Sequence, residues 1–178
     1  MSNLSKPLNT NQVMYIGEAF VGRGPNAAHI NVFIGPKDGP LGTALASSVA
    51  APRIGYIPFM VIHKPNVPVK PATLFSAKAD LRGDTHSNMT WGPAQAGIAR
   101  AVYECVQEGV LPKDAEDNWA IIAGVWVNWE ADDADLIYAH NHEAMHLALT
   151  RAMSHLPSEE ETKAANDDPG NPFYTPKL

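Results

Sequence analysis

The sequence predicts an α/β fold, an α+β sandwich in which helices pack on a mixed sheet. Short segments with strand patterns alternate along the chain with longer segments that have helical patterns. Many of the fifteen prolines stand at the boundaries between these segments. The 178 residues, 45% of them hydrophobic, are enough for one domain with a buried core.

The first half of the chain contains four predicted strands and one helix. Pro40 occupies the first position of that helix, where its missing N–H costs nothing. Three closely spaced prolines between Lys64 and Pro71 exclude a helix there, so this stretch is expected to be extended. The predicted strands are 12–22, 28–35, 57–62 and 73–80, and the predicted helix runs from Gly39-Pro40 to about Ala50.

The second half contains two predicted helices and one buried strand between them. The first helix begins at Gly92-Pro93 and ends at Gly109, a residue type common after the last helical turn. The strand from Trp119 to Trp129 is apolar on both faces. The second helix runs to about Leu156 and is capped by Asp132 or Asp133.

The domain is therefore expected to span residues 13–156. It lies between a polar N-terminal extension, 1–12, and a polar C-terminal tail, 157–178. The tail is rich in Pro, Asn and Asp and is expected to be mobile or laid over a neighbouring surface.

Composition excludes several classes of function. The net charge is −6 and the basic residues are scattered, which argues against a nucleic-acid partner. No apolar stretch approaches the roughly 20 residues that a membrane-spanning helix needs. The single cysteine, Cys105, excludes an intrachain disulfide and fits a reducing compartment. Residues 1–11 lack the apolar core of a signal peptide, so a cytoplasmic location is expected.

One histidine in the second strand is the leading candidate for catalysis. Strand alternation places His29, Asn31 and Phe33 on one face. The residues that alternate with them, Ile30, Val32 and Ile34, are aliphatic and are expected to face the core. Histidine is the side chain best suited to exchange protons near neutral pH. Alternation alone leaves open whether His29 is catalytic or a hydrogen-bonded structural residue.

Two further polar side chains allow two interpretations. Gln95 lies in the first turn of the helix that begins at Pro93, where it either satisfies free backbone N–H groups or contacts a ligand. Lys78 shares a strand face with Ser76 and Asp80, and that face is either solvent-exposed or part of a site.

A competing motif occurs in the last predicted helix. His142-Glu143-Ala144-Met145-His146 matches the zinc-peptidase pattern of two histidines one turn apart with a glutamate beside them. A third ligand is not evident, because Leu149 and Ala152 stand where the extended motif has glycine and histidine. Both histidines lie on the flank of the apolar stripe, so a zinc hydrolase is the less favoured alternative.

Several blocks of sequence together resemble the formaldehyde-activating enzymes. The likeness covers about residues 13–155 without large gaps, and the Pro-Asn-x-Pro and Gly-Pro-Ala-Gln blocks are its most specific parts. The blocks are Gly17-Glu18-Ala19, Ala28-His29-Ile30, Ile34-Gly35, Lys64-Pro65-Asn66-Val67-Pro68, Lys70-Pro71, Thr73-Leu74, Gly92-Pro93-Ala94-Gln95 and Glu108-Gly109-Val110-Leu111-Pro112.

The resemblance implies a carbon–nitrogen lyase of one-carbon metabolism that condenses formaldehyde with tetrahydromethanopterin. It implies a fold like the second domain of ribosomal protein S5, a homopentamer with sites between subunits, no metal and no tightly bound cofactor. The reduced pterin is a co-substrate. His29 matches the family's catalytic histidine, and the ligand-contacting positions fall at Asn31, Met60, Lys78, Asp80 and Gln95.

The chain departs from the family pattern beside the histidine. Asn31 replaces an aspartate that would favour the imidazolium, and Asp80 replaces a threonine. We therefore expect either that Asp80 supplies the missing carboxylate or that the protein is a divergent paralogue, which binds formaldehyde, a pterin or another amine as a carrier or sensor. The positions of His142 and His146 usually carry tyrosine and lysine, so the zinc-like motif is a local replacement.

Overall fold

The computed structural model describes residues 14–54 and 57–177, so the proposed N-terminal extension, 1–12, lies outside the described residues. The described part contains a five-stranded mixed sheet in the order β1-β2-β7-β6-β3 and a separate hairpin of β4 and β5. Only β6 and β7 pair in parallel within this sheet. The strands are β1 Tyr15–Val21, β2 Ala28–Pro36, β3 Phe59–Met60, β4 Ile62–Lys64, β5 Val67–Pro68, β6 Ala72–Ala77 and β7 Trp119–Trp126.

Six α-helices accompany the sheet in the described residues, which confirms the α/β class. They are α1 Pro40–Ala50, α2 Gly83–Met89, α3 Gln95–Gln107, α4 Ala115–Asn118, α5 Ala134–Met153 and α6 Glu159–Asp167. No helix among residues 14–54 and 57–177 is both long enough and apolar enough to cross a membrane.

The two faces of the sheet have different surroundings. Ile30, Val32 and Ile34 of β2 are fully buried in the core that α3 and α5 cover. On the opposite face, Phe33 and Ile122 lie beside Leu41 of α1, which closes one end of that face. The other end of the same face, around His29, is only partly covered. The alternation predicted for β2 is therefore confirmed.

Two glycines let α5 approach its neighbours closely. A Cβ on Gly17 of β1 would lie 2.0 Å from the carbonyl oxygen of Ala148 in α5. A Cβ on Gly97 of α3 would lie 2.5 Å from the carbonyl oxygen of Tyr138 and 2.8 Å from the backbone nitrogen of His142. Real Cβ atoms do not approach backbone this closely. Both contacts therefore depend on the absence of a side chain.

The strand predicted over 57–62 is interrupted. β3 pairs with β6 only through Phe59 and Met60. The chain then leaves the sheet edge at Val61 and forms the hairpin of β4 and β5, with Asn66 at the turn in the left-handed region (φ 70°). The prolines exclude a helix here, as predicted. A hairpin forms where the sequence predicted one strand over 57–62 followed by an extended stretch.

The helical segment around Pro93 starts earlier than predicted. α2 begins at Gly83, and a π-helical turn, Thr90–Ala94, joins it to α3. In an ordinary α-helix, the proline ring clashes with the carbonyl four residues back. A π-turn is wider and bonds to the carbonyl five residues back, so it can accommodate Pro93 without ending the helix. Gly92-Pro93 therefore lies within a longer helical segment.

Other predicted helix ends are confirmed. Gly109 has φ 73° just after α3, and its N–H donates to the carbonyl of Val106. The side chain of Asp133 accepts hydrogen bonds from the backbone N–H groups of Asp135 and Leu136, which makes it the N-cap of α5.

Regular structure continues beyond residue 157. Helix α6 begins with a capping box, in which Ser158 accepts from the N–H of Glu161 and the Glu161 carboxylate accepts from the N–H of Ser158. No residue of α6 is buried. The sequence analysis missed this helix because it has no apolar stripe.

We expect Gly97→Ala to lower the free energy of unfolding by about 1–3 kcal/mol, because the methyl group must displace the backbone of α5. Gly92→Ala is the matched control, since a Cβ there meets nothing within 4 Å. That variant should equal the wild type or exceed it slightly, because alanine favours helix. Urea denaturation of both variants measures the difference, and equal stabilities would contradict the close contact.

Candidate active site

The partly covered end of the sheet places four polar side chains in two adjacent rows. Phe20, His29 and Trp126 lie opposite one another on β1, β2 and β7, with one residue from each strand. Glu18, Asn31, Gly124 and Ser76 form the next row. Lys78 follows β6 and stays in the ladder through its N–H, which donates to the carbonyl of Val125.

Two contacts link these rows. Nε2 of His29 lies 3.0 Å from Oε1 of Glu18, and the two side chains are 31% and 57% exposed. Nζ of Lys78 donates a 2.7 Å hydrogen bond to Oδ1 of Asn31. Lys78 reaches Asn31 across Gly124, where a Cβ would lie 3.6 Å from Lys78 Cδ. The glycine thus leaves a path for the lysine across the sheet.

The charges of this cluster oppose one another. Burial first, and then the nearby Lys78 ammonium, lower the pKa of His29, while the Glu18 carboxylate raises it, and the net shift is downward. Burial lowers the pKa of Lys78 to about 8, against the opposing effect of Glu18. The lowered pKa makes the His29 imidazolium a stronger acid than that of a free histidine, and Glu18 opposes this shift. Such a group can donate a proton near neutral pH.

The other predicted contact residues lie farther along the sheet or are engaged elsewhere. Met60 is on the edge strand β3, opposite Leu74. Gln95 accepts a hydrogen bond from the N–H of Ile62 (3.1 Å) and donates one to the carbonyl of Trp91 (2.6 Å). Gln95 therefore satisfies backbone groups and ties β4 to the helical segment.

Asp80 lies in the loop after β6. Its carbonyl accepts a hydrogen bond from Nε1 of Trp129 (2.9 Å), and the Arg82 guanidinium stacks on that indole ring. The carboxylate that contacts His29 comes from Glu18 instead. The alternation of β2 alone does not reveal this role of Glu18, because Glu18 belongs to the neighbouring strand β1. Register places Glu18 opposite Asn31, and alternation then puts it on the face of His29.

A cavity of about 660 Å³ opens at the same end of the sheet, and His29 is not among the residues that line it. Its walls include Phe20 and Trp126, the neighbours of His29 in the same row, and Phe173 from the C-terminal segment. Polar side chains at the rim are Arg23, Asn128 and Glu130. Its volume is in the range that holds a small organic ligand.

The histidines of the zinc-like motif lie on the helical side of the sheet. Nε2 of His142 contacts Glu104 and Nε2 of His146 contacts Glu108, so both pair with carboxylates of α3. Arg100 also contacts Glu104 and Tyr138, one turn before these pairs. Across the described residues, no group of three or more His, Cys, Asp or Glu side chains could hold a metal ion. The two histidines therefore join α3 to α5.

Comparisons with known proteins place the chain in a family. The model of the family "Formaldehyde-activating enzyme (Fae)" matches residues 16–174. A protein of Methanosarcina barkeri named 5,6,7,8-tetrahydromethanopterin hydro-lyase is 40% identical over 158 residues, which is 89% of each chain. The chain therefore belongs to the formaldehyde-activating enzyme family.

Longer relatives match in only part of their length. Proteins named bifunctional enzyme Fae/Hps from Methanococcoides burtonii and Methanosphaera stadtmanae are 39% and 37% identical to this chain. The alignments cover 82% and 89% of this chain but 37% and 39% of those proteins. The chain thus spans less than half the length of these bifunctional relatives.

We expect substitutions in the cluster to move the pKa of His29 in opposite directions. Glu18→Gln removes the charge that raises it, so the pKa should fall. Lys78→Met removes the charge that lowers it, so the pKa should rise. Asp80→Asn is the matched control and should leave it unchanged. NMR titration of the His29 ring protons measures all three, and a shift in Asp80→Asn but not in Glu18→Gln would contradict the assignment of Glu18.

Proposed function

We propose that this protein condenses formaldehyde with tetrahydromethanopterin, giving the methylene derivative and water. The observation that carries the proposal is the position of His29 on the partly covered face, in contact with a carboxylate and between two aromatic residues, Phe20 and Trp126, that line a cavity. The 40% identity to a hydro-lyase named for this pterin supports the choice of substrate.

The chemistry requires one well-placed acid. Formaldehyde adds to a pterin amine with little help and forms a carbinolamine. The hydroxyl group of the carbinolamine leaves poorly, so we assign His29 the role of protonating it as the C–O bond breaks and water departs. The second amine then closes on the methylene carbon, and the proton it loses restores the imidazolium. One formaldehyde and one pterin thus give one methylene derivative and one water.

The neighbours of His29 adjust this proton transfer. Glu18 favours the imidazolium and fixes the ring through the contact at Nε2. Lys78 disfavours the imidazolium and so promotes release of its proton. We retain Asn31, Met60, Lys78 and Asp80 as proposed substrate contacts. Gln95 is proposed to act by holding the start of β4 through its bond to Ile62.

The alternative of a carrier or sensor rested on the replacement of an aspartate by Asn31. The contact between Glu18 and His29 keeps a carboxylate beside the ring, although Glu18 belongs to a block that resembles the family and so does not itself replace the charge missing at Asn31. This observation favours catalysis. A protein that binds the pterin without accelerating the condensation would support the carrier or sensor instead.

Assembly into a homopentamer in the cytoplasm is part of the proposal. Large apolar side chains border the site without being covered by the chain itself. Ile16 lies on the same face of β1 as Glu18, and the Trp129 ring donates a hydrogen bond to the carbonyl of Asp80. The side chains of Ile16 and Trp129 are nevertheless about half exposed. Such groups are typical of surfaces that a second subunit covers. The apolar strand β7 gives no such support, because it lies inside the sheet between β2 and β6.

We expect His29→Gln to lower kcat about 10²- to 10⁴-fold, the usual contribution of a general acid, while pterin binding is retained. In the wild type, kcat/KM should fall as pH rises through the lowered pKa of His29, because the proton donor is then lost. Spectroscopic assay of methylene formation, corrected for the spontaneous reaction, measures both.

His146→Gln is the control for this substitution. It removes a histidine that contacts Glu108 on the helical side, so activity should be retained. Activity that survives His29→Gln but is lost in His146→Gln would refute the assignment of His29 as the general acid.

We expect sedimentation to give the mass of five chains at micromolar concentration. The number five comes from the resemblance to the formaldehyde-activating enzymes, and the half-exposed apolar groups around the site add only that a second chain should cover them. A monomer under these conditions would overturn the pentamer while leaving the role of His29 open to the activity assay.

A further inference from the structure

The aromatic neighbours of His29 flank it on both sides. Phe20 is its partner on β1 and Trp126 its partner on β7, so the three side chains cross the sheet in one row. The ring centroids of Phe20 and His29 are 5.9 Å apart. Adjacent strands are separated by about 4.8 Å, so the backbones at Phe20 and Trp126 are about 10 Å apart with the histidine between them.

A third ring, from the C-terminal segment, contacts both flanking rings. The centroid of Phe173 lies 6.4 Å from that of Phe20 and 5.7 Å from that of Trp126, with edge-to-face angles of 87° and 85°. Phe173 therefore bridges the two aromatic side chains that flank the proposed proton donor in its row.

A small turn holds this ring in place. The backbones of Asn171 and Tyr174 exchange hydrogen bonds of 2.8 and 3.2 Å, and the side chain of Asn171 accepts a bond from the N–H of Phe173. Phe173 is nevertheless 73% exposed, which is unusual for a phenylalanine that the chain positions so definitely. Phe173 also lines the cavity, so part of its exposed surface is available to a ligand there.

The cavity below this ring has the features that a flat nitrogen heterocycle requires. Phe20, Trp126 and Phe173 supply aromatic walls, and Asn128 and Glu130 supply amide and carboxylate groups nearby. Aromatic walls pack well against a planar ring, and carboxylate and amide groups can pair with its N–H and C=O groups.

We propose that Phe173 is a substrate-binding residue of this site. Together with Phe20 and Trp126 it forms an aromatic pocket that seats the reduced pterin beside His29. The inference rests on the proposed function, because it names the part of the chain that binds the pterin in that reaction. It assigns a binding role to the C-terminal segment, which the sequence analysis treated as a polar tail.

The test compares two adjacent aromatic residues. Phe173→Ala should weaken pterin binding and raise the KM for pterin about tenfold, the effect of losing one aromatic contact. The KM for formaldehyde and kcat should change less than about threefold. Phe173→Tyr should restore most of the affinity. Tyr174→Ala is the control, because Tyr174 is 66% exposed and its backbone bonds to Asn171 survive the substitution.

Calorimetric titration with tetrahydromethanopterin, in the absence of formaldehyde, separates this inference from the proposed function. If the wild type binds the pterin but does not catalyse, the proposed function fails, and Phe173→Ala still decides the inference. Equal affinities in wild type and Phe173→Ala, or equal losses in Phe173→Ala and Tyr174→Ala, would overturn it. Absence of pterin binding by the wild type would overturn both.

Discussion

The close approach of α5 to β1 and α3 is the contact on which the rest of the molecule depends. It exists because Gly17 and Gly97 bring no side chain to the places where the helix backbone passes. The helix thereby covers the aliphatic face of β2 completely. Because that face is fully used by the core, the polar residues of the same strand are directed to the opposite face, where a site can form.

The polar face carries a balance of charges that a core could not tolerate. Lys78 and His29 lie near each other. The Glu18 carboxylate raises the pKa of both groups, while partial burial lowers the pKa of both. Like charges held together in this way oppose folding locally, and the covered face of the sheet provides the stability that permits them. The arrangement keeps both groups near the point at which they exchange protons with solvent or substrate.

The sequence was informative where one strand or one helix end decided the outcome. Alternation located His29 and Asn31, and Asp133 marked the start of α5, because each depends on local geometry alone. Register between strands was needed to find Glu18, and the fold of the C-terminal segment was needed to find Phe173. The π-turn at Pro93 was missed because proline ends an ordinary α-helix, and α6 because an exposed helix needs no apolar stripe.

The contacts between α3 and α5 explain why a peptidase-like motif occurs in a chain of this family. Arg100 with Tyr138, Glu104 with His142 and Glu108 with His146 are each separated by 38 residues. Two helices that run in the same direction and exchange side chains at every turn must repeat their contacts at intervals of four residues. Two histidines four residues apart fit this packing. The pitch of the helix can therefore produce a sequence that matches a zinc-binding motif without binding a metal.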